Sequence, residues 1–309
     1  MKVLDRIFHL AILGISIPSA TFVVAFSAPT SSLQSLLTTH QSSIASLKDI
    51  ATTISENESV APPSDVFYLR YALNDSYDDD EQRIAALKSN LEWRMNEGNT
   101  IVTSAYNAIQ SAMEGGKWNN EPIRNAAPNA KIINEYLTTT QCITTSLPST
   151  NDLIYCIRAG KIDDKALMSA VSIDEMVDFF LYCKEVNAMV ADMRSLQTDS
   201  LIKIVTCNDL KGVKLVGGSK DFRASLSAAS KKANALYPSL NGRTLMLNLP
   251  SLLGPLVSIF KLLLPKAVTK RLRFENGPLK DVEDLREIAD GGKGRDEFVD
   301  QVNALAYGD

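Results

Sequence analysis

Histidine is nearly missing from this chain: of 309 residues only His9 and His40 carry an imidazole, and both stand in the first 40 positions. The remainder therefore has no base for a Ser-His-Asp or Cys-His triad and none of the usual histidine ligands for zinc. Cysteine is scarce as well. Cys142, Cys156, Cys183 and Cys207 show no paired ligand spacing, so they define neither a metal site nor a disulfide. Cys156 and Cys207 fall in or beside apolar strands, where a small core residue is the plain reading. Excess positive charge is lacking too: the formal net charge is -4, which argues against a general nucleic-acid binder. A phosphate loop fails by one residue, since Gly218 stands where Gly212-Val-Lys-Leu-Val-Gly217-Gly218-Ser219 would need its lysine. That segment reads as a turn followed by a helix cap at Ser219. There is no internal repeat. With this machinery gone, binding is a better expectation than catalysis, and no cofactor is implied.

What is present is apolar surface and segregated charge. A chain with 45% hydrophobic side chains can bury a substantial core, and its pattern predicts one α/β domain behind a small helical one. The acids Asp78-Asp-Asp-Glu81 open a helix, where they suit the dipole. The cations gather at Lys231-Lys232 and across residues 261–280. Residues 243–249 read as a strand with Leu245, Leu247 and Leu249 on one face, after the turn signal Asn241-Gly242. Leu253 then leads into a helix with Pro255 in its first turn, on which Leu256, Ile259, Phe260 and Leu263 share a face. Val257, Leu262 and Leu264 carry the apolar surface almost all the way round, so this helix must be buried or face lipid. Lys266, Lys270, Arg271 and Arg273 follow, a density of cations that suits the edge of an anionic bilayer. An ordinary core helix with a solvated basic end is the alternative.

The first residues read as a targeting segment. Lys2 and Arg6 precede an apolar run at 7–17, and Val23-Val24-Ala25 offers a cleavage site, giving a signal peptide over 1–25. The run is short and interrupted, a poor membrane span, although an uncleaved anchor stays open. Phe26 and a Ser/Thr-rich stretch with no acid before Asp49 resemble the bipartite presequences of algae with complex plastids. That resemblance implies a transit peptide or linker over 26–61 and a plastid address. Lys48 is the only fixed cation of this stretch. The alternative is secretion, with Asn57 and Asn74 as glycosylation candidates.

Apolar recurrence predicts a helix at 33–59 once packed, and a helical segment over 62–116 with pieces at 65–73, 79–96 and 100–113. Within 117–290, the polar connection 123–148 carries a helix near 130–140. Strands are expected at 152–157, 200–206, 243–249 and 272–274, with helices at 173–193 and 219–236 between them. Strands separated by helices imply a largely parallel sheet. A tail over 291–309 holds a short helix.

Three blocks in order bear a family resemblance. They are Phe67 to Gly98 with Leu91-Glu-Trp-Arg94, Ile202 to Gly212 with Asp209-Leu-Lys-Gly212, and the run from Tyr237 through Asn248-Leu-Pro250 to the basic end. Together they resemble the CRAL-TRIO lipid-binding family, which includes the fungal phosphatidylinositol transfer proteins. The resemblance implies an α/β fold with a small, mostly parallel sheet, flanking helices and an apolar gate helix. It implies a pocket between a sheet floor of Ile204, Leu245 and Leu247 and a gate of Leu253, Leu256, Ile259, Phe260 and Leu263. It also implies that Thr206, Asp209 and Lys211 contact a phospholipid headgroup, with Glu185 as an acidic partner. Ligands of open α/β sheets dock at the carboxyl ends of strands, where these residues are expected. Asp209 and Lys211 as a mere turn and surface ion pair is the competing reading. Arg70 matches the first basic residue of the family's N-terminal block, whereas Ala72 and Leu73 replace later ones.

The expected protein is thus a monomeric, non-enzymatic carrier or sensor of a phospholipid or isoprenoid lipid, in peripheral contact with an anionic membrane. A protein-interaction or scaffold domain with a filled pocket is the second expectation. A hydrolase or isomerase of hydrophobic substrates is a third, opposed by the missing histidines.

Overall fold

The computed structural model of the chain describes residues 31–54, 63–116, 118–137, 145–146, 151–213, 218–249 and 272–277. The front of the chain supplies α1 (Leu33–Thr39), α2 (Gln41–Ile54), α3 (Asp65–Ala72), α4 (Asp80–Met95), α5 (Asn99–Met113), α6 (Asn120–Asn125) and α7 (Ala130–Tyr136). Behind them come α8 (Asp164–Ala170), α9 (Ile173–Thr198) and α10 (Lys220–Leu236), interleaved with β1 (Thr145–Ser146), β2 (Leu153–Arg158), β3 (Ile204–Asp209), β4 (Asn241–Leu247) and β5 (Leu272–Phe274).

Local chemistry starts and stops these helices. Ser32, Ser64, Asp79 and Ser219 each accept a hydrogen bond from a first-turn amide of α1, α3, α4 and α10. The long helix α9 opens on a reciprocal capping box of Ser172 and Glu175 and closes at Asp199, whose φ of 48° is left-handed. α9 is buried on more than one side because it lies at the centre. Its Phe179, Phe180, Tyr182 and Val186 join one core with Ile101, Val102 and Ile109 of α5, Phe222 and Leu226 of α10, and Leu153, Tyr155 and Ile157 of β2. α5 belongs to the same core as the sheet, so the division expected at 116/117 is no boundary between cores.

β2 to β5 form a parallel sheet in chain order, and β1 adds an antiparallel edge to β2. β3 begins later than the expected 200–206. Side chains occupy the backbone just before it: Ser195 Oγ accepts from the Ile202 amide (3.0 Å), Asp152 Oδ1 accepts from the Lys203 amide (2.8 Å), and Arg70 donates to the Ile202 carbonyl (2.9 Å). The ladder therefore starts at Ile204 and runs through Asp209, which pairs with Arg158 and Leu247. β5 stands where it was expected. The helices α6 and α8 and the strand β1 were not anticipated.

α1 and α2 correct the division at residue 61. Leu33, Ile44, Leu47 and Ala51 are buried against Val66 and Leu69 of α3 and Leu87 and Leu91 of α4. Lys48 forms an ion pair with Asp65, and the Leu33 and Gln34 amides donate to the Asp199 carbonyl (2.9 Å) and carboxylate (2.8 Å). Residues 33–54 are thus built into the helical layer, and discarding them would uncover its core. Replacing Leu47, 3% exposed, by Ala is expected to lower the unfolding free energy by about 2–4 kcal/mol in urea titrations. A change within about 0.5 kcal/mol would show that α2 contributes no core.

Candidate functional site

Parallel strands bring their carboxyl ends to one edge of the sheet, and four residues organise that edge. Gly160, in the turn after β2, lies so close to the loop after β3 that a Cβ there would sit 2.0 Å from the Lys211 carbonyl oxygen. Only glycine allows that approach. Asp209 Oδ1 accepts from the Lys211 amide (3.0 Å) and from Asn248 Nδ2 (2.7 Å). Asn248 is held with φ 50°, and its own amide donates to the Gly277 carbonyl (2.9 Å). Asp209 and Asn248 therefore stitch the ends of β3 and β4 together, while the Lys211 side chain is exposed. Asn248 had no site role in the sequence reading. The signal was the motif Asn248-Leu-Pro250, which marks a turn without saying which strand end it ties.

Strand alternation separates residues that the sequence placed in one cluster. Neighbouring residues of a strand point to opposite faces, so residues three apart do too. Thr206 lies within β3, in register with Tyr155 and Thr244, on the face that packs on α9 and α10. Asp209, in register with Leu247, is on the other face. The same rule divides the expected pocket floor. Ile204 joins the α9 core, whereas Leu245 and Leu247 belong to the opposite face with Ile154, Val205 and Cys207, all buried. Thr206 and Thr244 are each 1% exposed, and their hydroxyls have no hydrogen-bond partner among the described residues.

Glu185 is engaged elsewhere. Arg94 of α4 forms an ion pair with its Oε1 (2.8 Å), and Tyr237 donates its hydroxyl to Oε2 (2.9 Å). Asn90 and Tyr71 add hydrogen bonds to the Leu236 carbonyl next door (2.6 and 3.4 Å), and Phe67 lies under the Arg94 guanidinium, 5.7 Å from ring centre. Burial works against the Arg94 charge, but Glu185, with Tyr237 and Tyr71, outweighs it and holds the arginine above its usual pKa. Burial also pushes the Tyr237 hydroxyl well up, with the Glu185 carboxylate adding to it. Arg70 is likewise internal. It pairs with Asp192 of α9 (2.8 Å) and donates to the carbonyls of Ile202 and Ser239. Burial raises the Asp192 carboxyl above its usual range, and Arg70 and Ser64 offset only part of this. Both arginines clamp α9 to the front helices.

Leu253, Leu256, Ile259, Phe260, Leu263, Lys266, Lys270 and Arg271 lie outside the described residues. Arg273 is within β5, where it pairs with Glu275 (2.9 Å). A small cavity of about 20 Å³ lies between α9, α10 and β2. It is walled by Tyr155, Phe180, Lys184, Asn187, Ala229 and Ala233, on the face away from Leu245 and Leu247. Among the described residues there is no cluster able to hold a metal ion and no helix long and apolar enough to cross a membrane.

A mostly parallel sheet behind a helical layer makes this an α/β protein rather than a solenoid or bundle. Residues 147–290 match the family model of the CRAL/TRIO domain. No curated protein matches it in sequence. The crystal structure of Sfh5 is 15% identical and superposes with a TM-score of 0.49 over 89% of this chain and 92% of that one; no residue role is carried across at that distance.

The engagement of Glu185 gives a direct expectation. Arg94→Met strands a carboxylate that is 1% exposed, and unfolding is expected to become easier by about 3–5 kcal/mol, with most of that recovered in Arg94→Met/Glu185→Met. Denaturant titration checks it, and equal losses in the single and double variants would contradict the pairing.

Proposed function

We propose that the chain binds a lipid against the sheet face of Leu245 and Leu247 and carries or presents it at membranes, with residues 252–264 as the gate. The observation that carries this reading is the CRAL/TRIO match over 147–290. The apolar face formed by Ile154, Val205, Leu245 and Leu247 supports it as the pocket floor, with Ile204 left out. Each buried methylene contributes about 0.8 kcal/mol, so ten of them hold a chain at roughly micromolar affinity or better. Release then needs the gate to open into a bilayer rather than into water. Lys266, Lys270 and Arg271 supply attraction to anionic headgroups, at about 1 kcal/mol each.

The ligand reading favoured here is an isoprenoid-like or otherwise weakly polar lipid. Thr206 and Asp209 are on opposite faces, Asp209 is held by Asn248, and Glu185 is paired with Arg94. Lys211 alone remains at the rim as a headgroup contact. Native mass spectrometry of the purified chain, with its lipid extract identified, tests the reading. A weakly polar lipid is expected from the wild type and unchanged from Lys211→Ala and Thr206→Val, while Phe260→Asp loses it and slows transfer between vesicles. A phosphoinositide that disappears in Lys211→Ala would overturn the ligand class. No lipid at all from the folded chain would favour the protein-interaction domain instead.

The proposed address is a complex plastid, and the packing of residues 33–54 on α3 and α4 supports a removable segment that ends before Ser32. Residues 1–50 fused to a fluorescent protein are expected to enter the plastid of such an alga, and Phe26→Ala to stop the fusion at its periphery. A secreted fusion would point to the extracellular alternative.

A further inference from the structure

At Asn248 the chain leaves the sheet, and more than the strand ladder holds it there. β4 ends at Leu247, opposite Asp209, and the chain returns as β5 at Leu272. Beyond the last register pair, Met246 with Phe274, backbone bonds keep the two ends together. The Asn248 amide donates to the Gly277 carbonyl (2.9 Å), the Leu249 amide to the Glu275 carbonyl (3.1 Å) and the Glu275 amide to the Met246 carbonyl (2.9 Å). Asn248 itself has a φ of 50°. Of residues with a Cβ, asparagine tolerates this left-handed backbone well, yet the right-handed region stays open to it. One side-chain bond fixes the choice, Asn248 Nδ2 to Asp209 Oδ1 at 2.7 Å. Asp209 is anchored in turn, because its Oδ1 also accepts from the Lys211 amide (3.0 Å), in the loop that Gly160 approaches. Both Asp209 and Asn248 are half-buried, so water reaches this bond and it can open without unfolding the sheet.

We propose that the bond between Asn248 and Asp209 is a latch that sets how fast a bound lipid is released. While it is closed, Asn248 stays left-handed and the chain leaves β4 in one direction. When it opens, the backbone at Asn248 relaxes to negative φ and the chain leaves in another. The bonds to Gly277 and Glu275, made by that residue and the next, are lost with it. Asn248 and Asp209 act on residues 252–264 through the backbone, so they are positioning residues rather than ligand contacts. The inference rests on the lipid reading above, in which that stretch is the gate.

The test compares release with local opening. The full chain is loaded from phosphatidylcholine vesicles that carry pyrenedecanol, a weakly polar fluorescent lipid, and transfer to unlabelled vesicles is followed. Asp209→Ala and Asn248→Ala are each expected to speed release about three- to tenfold, the weight of one lost hydrogen bond. The double variant is expected to be no faster than the faster single one, since both remove the same bond. Asp209→Asn keeps an acceptor oxygen and is expected to recover most of the wild-type rate. Asn248→Gly accepts the positive φ without strain and gives the answer if Asn248→Ala fails to fold. Hydrogen exchange of the chain without lipid is the second arm: in Asp209→Ala the amides of 248 and 249 are expected to lose protection while those of β3 keep theirs. Wild-type release rates in the alanine variants, or additive acceleration in the double variant, would overturn the latch. A wild type that takes up no pyrenedecanol would count against the lipid reading instead, and unchanged exchange at 248 and 249 would then overturn the latch by itself.

Discussion

The ion pair of Arg94 with Glu185, completed by the Tyr237 hydroxyl, is the interaction on which the rest of the architecture depends. Glu185 sits in the middle of the longest helix with almost no exposure, and such a charge is tolerated only when both oxygens are engaged. Its partners come from two other places, α4 in front and the connection between α10 and β4 behind. One buried carboxylate thereby fixes three elements with respect to one another. Arg70 repeats the device a few turns along α9, reaching Asp192, the start of β3 through Ile202, and the start of β4 through Ser239. Charged clamps of this kind do little for net stability compared with apolar residues, but they penalise every misregistered alternative by an unpaired charge. The helical front and the sheet are held in register by these two arginines.

That register decides which face each strand residue serves. The family-like segment Ile202 to Gly212 reads as one patch when written out, yet pleating sends Thr206 toward α9 and Asp209 away from it. The sheet consequently has two different surfaces. One is the helix-covered core with its buried polar row and the Lys184 cavity; the other is the aliphatic face of Leu245 and Leu247. A lipid and a polar headgroup cluster built from Thr206, Asp209 and Glu185 would need both at once. The tie from Asn248 to Asp209 and the close approach at Gly160 shape the strand edge instead.

The Ser/Thr-rich N-terminal stretch shows how composition can mislead about a boundary. Its low charge and abundant hydroxyls are consistent with an address segment, while the spacing of Leu33, Ile44, Leu47 and Ala51 is consistent with a helix face. Both can be true of overlapping residues. What selects the second over 33–54 is a surface to pack on, provided by α3 and α4, and a capping acceptor, Asp199, far along the chain. Neither is visible locally.

By itself the sequence determined the element types, because periodicity and caps act within a few residues: Ser172 and Glu175 start α9, Ser219 starts α10, and the apolar run of β4 has to be a buried strand. It determined the parallel sheet as well, since helices lie between the strands. It also confined histidine to two positions, His9 and His40. Only the tertiary structure decided where β3 begins, because side chains from α3, α9 and Asp152 claim the preceding backbone. It alone decided that Glu185 and Arg70 are clamps and that Ile204 faces away from Leu245, and it left Lys184 beside a small cavity with Asn241 as its partner among the described residues. The charged and polar pairs among them join residues more than 30 positions apart, and no short-range pattern records which buried charge will find which partner.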